Sequence, residues 1–208
     1  TIPIATSMQT QARSMMPDWN SNQCWIAVGP GSGEKESFKR WPVYHFRELV
    51  KVLLQNSDHI RIAIFCSKEE ESLVESILSG KEFDLNRCFI FSGKQFNVAL
   101  ALIAQCHCMV AGCTGPRHMA VSAGIPVVGL YGPSNPGFEG AYKNHYVLRP
   151  KNLECAPCCG GEWANKGCNN PICMDLIQPR SVYEAVLKVL NGSPPPPVPW
   201  VPTSRILR

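Results

Sequence analysis

One stretch, from Cys108 to Gly140, constrains the fold of this chain more than any other. It contains two short apolar runs of the kind that form buried strands, separated by a sharp turn and a segment of small residues. The pattern predicts a strand at 108–111, a turn at 112–116 with Pro116 placed to open a helix, a helix at 117–124, a strand at 125–131 and a Gly-Pro loop at 132–140. A strand, a helix and a second strand in this order form a βαβ unit, which holds ligands at the carboxyl ends of its strands.

The rest of the chain repeats this alternation of strands and helices. Further strands are predicted at 24–28, 60–66, 88–91 and 145–148, and helices at 43–54, 68–78, 95–105 and from Pro179 onwards. Alternating elements of this kind predict an α/β fold, a Rossmann-like doubly wound and mostly parallel sheet.

At 208 residues the chain is long enough for one domain with a sizeable core. We expect a linker or loosely attached segment at 1–23, the domain at 24–191 and a Pro-rich tail at 192–208. The net charge of +4 fits an anionic small ligand or peripheral contact with a membrane surface. It is too small, and the basic residues too scattered, to predict nucleic-acid binding.

The eleven cysteines divide into two groups. Six lie in or beside predicted strands, where a free thiol behaves as a small apolar group. The other five lie in a Cys-rich insert at 155–173, and four of them have a spacing that suits tetrahedral Zn²⁺ or iron: Cys155, Cys158, Cys168 and Cys173. A local disulfide or reduced thiols remain open alternatives. Cysteines segregated in this way favour a cytoplasmic protein over a secreted disulfide scaffold.

Two loops are suited to a phosphate group or sugar hydroxyls. The loop 29–33, with three glycines, follows the first strand and precedes the cations Lys39 and Arg40, which could neutralise a diphosphate. The turn at Thr114-Gly115, with His118 beyond it, opens a helix, and a helix N-terminus attracts anions. Each feature also has a purely structural explanation, as a tight turn, a solvated basic pair, a helix cap or a hydrogen-bonded histidine.

Taken in order along the chain, these motifs resemble glycosyltransferase family 9, which includes the bacterial lipopolysaccharide heptosyltransferases. The resemblance covers about 25–190. The segments that carry it are G-x-G followed by Lys39-Arg40-Trp41-Pro42, Thr114-Gly115-Pro116 with His118-Met119-Ala120, Gly124-Ile125-Pro126, Gly132-Pro133-Ser134, 137–142, and the cysteine segment followed by Ile177, Pro179 and Val182.

The resemblance implies the C-terminal, nucleotide-sugar-binding half of a glycosyltransferase-B enzyme, with ADP-heptose as the favoured donor. It implies that Ser32 and Lys39 contact the diphosphate and that the Thr114-Gly115 turn and His118 lie against phosphates and sugar. The full set of donor-binding positions that it suggests is Ser32, Lys39, Cys113, Thr114, Gly115, His118, Gly132 and Glu139. Transfer would need no cofactor, and the catalytic base is expected in an N-terminal acceptor domain that these residues do not include.

Position 113 departs from the family pattern. The family usually has Asp where this chain has Cys113, and that Asp is expected to hold sugar hydroxyls. A thiol is a weak hydrogen-bond partner, so the departure implies either a different sugar or weaker donor binding.

The function favoured by these observations is transfer of a nucleotide-activated sugar to a glycan, lipid or protein hydroxyl. The implied location is the cytoplasm or the cytoplasmic face of the inner membrane. The alternative is a degenerate, non-catalytic binding module kept for protein–protein contacts, in which Cys113 marks lost sugar recognition. A nucleotide-sugar epimerase is disfavoured because the chain lacks a dinucleotide-binding fingerprint.

Overall fold

The computed structural model describes residues 1–80, 82–93, 95–140, 144–158, 168 and 170–196. In this part of the chain six strands form one sheet in the order β3-β2-β1-β4-β5-β6, and every neighbouring pair is parallel. The strands are β1 (Cys24–Gly29), β2 (Ile60–Cys66), β3 (Cys88–Ser92), β4 (Cys108–Ala111), β5 (Val127–Leu130) and β6 (His145–Leu148). The predicted doubly wound α/β fold is confirmed.

Helices cover both faces of the sheet. They are α1 (Thr6–Met15), α2 (Val43–Asn56), α3 (Glu71–Leu78), α4 (Phe96–Ile103), α5 (Gly115–Ala123), α6 (Ile172–Asp175) and α7 (Pro179–Leu190), with 3₁₀ turns at Glu34–Lys39, Lys68–Glu70 and Leu85–Arg87. Crossover helices on both faces bury the central strands completely, which explains why these strands are continuous apolar runs rather than alternating ones.

Two hydrophobic clusters lie on opposite faces of the sheet, because successive side chains of a strand point in opposite directions. On one face Ile26 and Val28 of β1 belong to the same cluster as α2, α3 and α7. On the other face Trp25 and Ala27 belong to a cluster with α4 and α5. The sheet therefore lies between two apolar layers, and its order reverses direction between β1 and β4.

The N-terminal segment contains α1, and both Ala12 of this helix and Met16 just after it are buried in the second cluster. The sequence predicted a linker or a loosely attached helix at 1–23; a helix is present, and its buried residues attach it to the second cluster. The apolar pattern of the helix predicted at 95–105 places Phe96 on its inner face. In the structure Phe96 is instead 50% exposed, because α4 begins at this residue and its buried face starts at Ala99.

No helix in the described ranges is long and apolar enough to span a membrane.

Candidate functional site

A cavity of about 460 Å³ opens at the carboxyl ends of β1, β2, β3 and β4. Its position matches the point where the strand order reverses, which is where open α/β sheets bind ligands. Its size lies within the range of small-molecule sites. The lining residues are Gly29, Gly31, Ser32, Gly33, Glu36, Phe65, Cys66, Ser67, Glu70, Phe91, Gly93, Ala99, Cys113, Thr114, Gly115, Pro116, His118 and Met119.

A second and larger cavity, of about 760 Å³, lies between α2 and α7 and is lined by Tyr44, His45 and Tyr183 among others. It lies along helix faces rather than at strand ends, and its described lining contains no glycine, so no glycine-rich loop presents backbone N–H groups to it. Chemistry and topology therefore make the smaller cavity the candidate ligand site.

The glycines after β1 let two loops approach each other. A Cβ at Gly29 would lie 3.2 Å from Ala111 Cβ and 3.5 Å from Thr114 Oγ1, so a side chain there would separate the two strand ends. A Cβ at Gly31 would overlap the carboxylate of Glu70. The glycines of this loop thus serve close packing around the cavity as well as turn formation.

The two cations expected to neutralise a diphosphate, Lys39 and Arg40, already have carboxylate partners. The Lys39 ammonium, on a side chain only 9% exposed, pairs with Glu36 at 2.5 Å. The Arg40 guanidinium donates to the backbone oxygen of Ser32 at 2.9 Å and to the Ser32 hydroxyl at 3.2 Å. It also lies 3.7 Å from the Glu70 carboxylate. Arg40 therefore shapes the loop around Ser32, and the charge of Lys39 is balanced by a half-exposed glutamate.

The helix α5 presents its N-terminus to the same cavity. Thr114 is its N-cap, with extended backbone and a hydroxyl that accepts the backbone N–H of Arg117 at 3.4 Å. Pro116 in the first turn fits a helix start, because proline has no N–H to leave unpaired. The helix begins at Gly115, two residues earlier than predicted, which places the backbone N–H of Gly115 in the exposed first turn.

His118 lies one turn into α5 and lines the cavity. Partial burial, followed by the positive charge of Arg117, lowers the pKa of the His118 ring, while Glu139 acts in the opposite direction. The ring is therefore neutral at pH 7. A neutral ring can donate one hydrogen bond and accept another.

A hydrogen-bond network joins the turn after β4 to the loop after β5. The Cys113 thiol donates to Glu139 Oε2 at 2.8 Å. The Arg117 guanidinium donates to the backbone oxygen of Glu139 and, at 3.6 Å, to the Cys113 sulfur. Burial, followed by the hydrogen bond to Glu139, raises the pKa of the Cys113 thiol, so this group stays protonated and remains a donor at neutral pH.

Most of the predicted donor-binding residues meet at this site. Of the eight, the five that line the cavity are Ser32, Cys113, Thr114, Gly115 and His118. Glu139 reaches it through its hydrogen bond to Cys113. Lys39 lies beside the turn before Cys113, since a Cβ at Gly112 would be 3.3 Å from the Lys39 backbone oxygen.

Gly132 is placed elsewhere. It is packed beneath α6, where a Cβ would overlap the Met174 sulfur and lie 3.0 Å from the Cys173 sulfur. This glycine allows the C-terminal segment to cover the end of β5.

The sequence missed several cavity residues that follow β2 and β3. Ser67 and Glu70 form a capping box at the start of the helical segment after β2, and Phe91 comes from β3. The rule that neighbouring parallel strands share one edge could have located Ser67 and Glu70, because they directly follow a predicted strand. Arg117 was missed because nothing in its sequence context predicts a buried cation.

Cys173 of the insert is influenced electrostatically by three other cysteines of the insert, Cys155, Cys158 and Cys168. Burial, and then the neighbouring thiols of Cys158, Cys155 and Cys168, raise the pKa of the Cys173 thiol to about 12. Within the described ranges no group of three or more His, Cys, Asp or Glu side chains is close enough to hold a metal ion, and every described cysteine is a free thiol. Cys159 lies outside the described residues.

Fold and cavity together define a Rossmann-like α/β unit with a candidate ligand cavity at its switch point. The family model of glycosyltransferase family 9 (heptosyltransferase) matches residues 3–168, and this chain belongs to that family. The lipooligosaccharide heptosyltransferase 2 of Haemophilus ducreyi is 33% identical over 131 residues, which cover 61% of this chain and 37% of that protein. The chain thus spans about a third of the length of the curated relatives it matches.

Solved structures share the fold. A glycosyltransferase family 9 protein from Veillonella parvula superposes with a TM-score of 0.75 at 23% identity, and the Escherichia coli ADP-heptose lps heptosyltransferase II with 0.72 at 23% identity. Each match covers 92% of this chain and 54% of the other. The iron-containing dodecameric glycosyltransferase TibC from enterotoxigenic E. coli matches with a TM-score of 0.62 at 16% identity, over 84% of this chain and 47% of that one.

Proposed function

We propose that this chain is the donor-binding half of a heptosyltransferase-like glycosyltransferase, and that the donor is a nucleotide-activated sugar, with ADP-heptose favoured. The observation that carries the proposal is the meeting of the glycine loop after β1 and the N-terminus of α5 at one cavity on the switch point. Family membership and the names of the relatives, which are heptosyltransferases, support the choice of sugar.

The two sides of the cavity suit the two parts of such a donor. Backbone N–H groups of the glycine loop and of α5, with Lys39 nearby, favour a diphosphate. Glu70 follows β2, the place where Rossmann folds supply a carboxylate for ribose hydroxyls. His118 and Glu139 offer hydrogen-bond partners for the sugar at the opposite end.

The chemistry assigned to this half is stabilisation of the leaving group. In inverting transfer the acceptor oxygen attacks the anomeric carbon, the bond from that carbon to the phosphate oxygen breaks, and its electron pair stays on the diphosphate. Lys39 and the helix N-terminus would stabilise this negative charge by fixed positive potential. The acceptor proton passes to a base that we assign to an N-terminal acceptor domain.

The acceptor in this proposal is a glycan, lipid or protein hydroxyl, and the place of work is the cytoplasm or the cytoplasmic face of the inner membrane. The relatives' names, which give a lipooligosaccharide or lipopolysaccharide product, favour an acceptor held at a membrane.

A non-catalytic binding module is the second candidate. It is favoured by one observation, that Cys113 and Glu139 satisfy each other's hydrogen bonds and so close the sugar end of the site without a ligand. The two candidates differ in whether the cavity distinguishes a nucleotide sugar from its nucleotide.

We also propose that Cys155, Cys158, Cys168 and Cys173 hold a structural Zn²⁺ or iron. Support comes from their spacing in the sequence. It also comes from the proximity of the other three thiols to Cys173, whose pKa they help to raise. TibC, a protein of the same fold, contains iron, which is consistent with this chemistry. Since the described positions do not form a closed ligand set, binding would draw the four thiols together and release their protons.

The donor-site proposal is tested by calorimetric titration of the purified chain with ADP, UDP, GDP and ADP-heptose. We expect saturable binding of one nucleotide series. Lys39→Ala should weaken nucleoside diphosphate binding by about 1.5–3 kcal/mol, the contribution of a charge-assisted contact. Lys35→Ala, which removes an exposed lysine from the same 3₁₀ turn, is the matched control and should bind like the unaltered chain.

Equal affinities for the Lys39→Ala and Lys35→Ala variants would contradict the phosphate assignment. Binding of no nucleotide by the unaltered chain would contradict the proposal that this half holds a donor by itself.

A further inference from the structure

Arg117 is fully buried, at 0% exposure, beside the proposed sugar end of the site. Its guanidinium carbon lies 4.9 Å from the centre of the Tyr131 ring, an arrangement in which the ring face attracts the cation. Its Nε and Nη1 atoms have no hydrogen-bond partner among the residues that the structure describes. A buried cation with two unpaired donors is costly, so its retention needs a reason beyond packing.

The contacts of the Arg117 guanidinium with Cys113, His118 and Glu139 all come from one atom, Nη2. This nitrogen donates to the Glu139 backbone oxygen, approaches Cys113 Sγ at 3.6 Å and lies 3.4 Å from His118 Nε2. Because Cys113 in turn donates to the Glu139 carboxylate, a continuous network joins these groups. Such chains of hydrogen bonds polarise and strengthen one another.

We propose that Arg117 is the positioning residue of the sugar end of the site, holding Glu139, Cys113 and His118 in one arrangement through Nη2. Arg117 lies behind these side chains and does not line the cavity, so it acts through them rather than on the ligand. The proposal rests on the proposed function and deepens it, because it separates sugar selectivity from nucleotide affinity. In the proposed site the diphosphate is held by backbone N–H groups of the glycine loop and of the first turn of α5, and in the described part of the chain the Arg117 guanidinium makes no hydrogen bond to these groups.

Two substitutions separate the roles of the charge and of the geometry. Arg117→Met keeps an unbranched apolar side chain of similar length and removes both charge and donors. Arg117→Lys keeps the charge but loses the planar fork that allows one group to reach several acceptors. Arg87→Met is the control, since Arg87 is another partly buried arginine that binds backbone oxygens of Leu54 and Ile60, at the amino ends of β2 and β3 and so at the sheet edge opposite the cavity.

The first readout is the ratio of affinities for ADP-heptose and ADP. Arg117→Met is expected to lose about tenfold of the preference for ADP-heptose while its affinity for ADP changes less than about twofold. Arg117→Lys should lose part of that preference, and Arg87→Met none. Equal weakening of ADP and ADP-heptose, or an unchanged ratio, would overturn the proposal.

The second readout needs no ligand. Partial burial, and after it the charge of Arg117 on the same helix, hold the pKa of the His118 ring below its ordinary value, while Glu139 on the facing loop acts in the opposite direction. In an NMR titration the His118 pKa should therefore rise in Arg117→Met and stay low in Arg117→Lys. An unchanged His118 pKa together with unchanged Glu139 amide signals in Arg117→Met would overturn the positioning role.

The two readouts also separate failure of this inference from failure of the proposed function. If the unaltered chain binds neither ADP nor ADP-heptose, the proposed function fails, and the titration of His118 alone decides the role of Arg117. If the unaltered chain binds ADP-heptose better than ADP and the Arg117→Met variant does so equally well, the proposed function stands and the inference fails.

Discussion

The resemblance to the family implies a carboxylate at the position of Cys113, and in this chain a carboxylate reaches that position from another loop. Glu139 Oε2 lies 2.8 Å from the Cys113 sulfur, so the loop after β5 supplies an acidic group 26 positions along the chain. The protonated thiol donates to that group because burial and Glu139 keep its pKa raised. We propose that Glu139 supplies, as a relocated carboxylate from the loop after β5, the acidic group that the resemblance implies at position 113 of the proposed sugar end of the site.

This interpretation predicts that the carboxylate can be moved back. Glu139→Gln should weaken ADP-heptose binding by about tenfold, the cost of one charge-assisted hydrogen bond, and leave ADP binding unchanged. Adding Cys113→Asp to Glu139→Gln should restore most of the lost affinity. Calorimetric titration of the single and double variants measures both effects.

The single variant Cys113→Asp is the control for this experiment. It places two carboxylates against each other, since the thiol it replaces is in hydrogen-bond contact with Glu139, and like charges at that distance repel. It should not bind ADP-heptose more tightly than the unaltered chain. If Glu139→Gln and the double variant bind equally, the relocated carboxylate is refuted and the non-catalytic module is favoured.

The segment between the glycine loop and α2 links the site to the C-terminal part of the chain. Trp41 is 2% exposed, packs edge-on against Phe46 at 4.8 Å between ring centres, and donates its indole N–H to the Ile177 backbone oxygen at 2.7 Å. This one side chain therefore fastens the start of α2 to the turn between α6 and α7. Trp41, which directly follows Lys39 and Arg40, therefore has a packing role.

Replacing Trp41 by Phe should lower the free energy of unfolding by about 1–3 kcal/mol, because the buried oxygen of Ile177 loses its donor. Tyr44→Phe removes a neighbouring hydrogen bond, to Asp175, from a side chain that is 59% exposed, and should change stability by less than about 0.5 kcal/mol. Urea unfolding of both variants measures the difference. Equal stabilities would show that Trp41 does not fasten the two segments.

Strands and long helices were predictable because their patterns are local. The predicted strand 60–66 is found unchanged as β2. The amphipathic helix predicted at 43–54 is found as α2 and ends slightly later than predicted, at Asn56. Helix ends were less predictable. The helix α5 begins at Gly115, directly after its cap Thr114, and not at Arg117, because the start is set by one side-chain hydrogen bond of Thr114. Phe96 was misassigned for the same reason, as the first residue of α4 lies outside its buried face.

The site was predictable only as far as its loops follow strands. Thr114 and His118 were found because a βαβ unit places them at a strand end, whereas the network of Arg117 and Glu139 depends on contacts between separate loops. Sequence spacing also could not show that Gly132 supports α6 instead of the cavity, because that contact comes from a segment about 40 positions away.

For the molecule as a whole, the cysteine insert is expected to stabilise the C-terminal segment through a bound metal. Cys158→Ser should lower the melting temperature and the metal content of protein purified without oxygen, because one thiolate ligand is lost. Cys88→Ser, which changes a partly buried thiol outside the insert, should alter neither strongly. Absence of metal from the unaltered protein by elemental analysis, with equal melting of both variants, would refute the metal site.

The assignment of the donor site to the cavity at the switch point is tested by finding where a nucleotide binds. The most direct measurement is an NMR titration of the isotopically labelled chain with ADP, recording the backbone amide signals. We predict shifts concentrated at the glycine loop 29–33 and at Gly115 and His118, with little change at Tyr44 and Tyr183 in the cavity between α2 and α7. Shifts confined to Tyr44 and Tyr183, or absent at saturating ADP, would contradict a donor site at the switch point of the sheet.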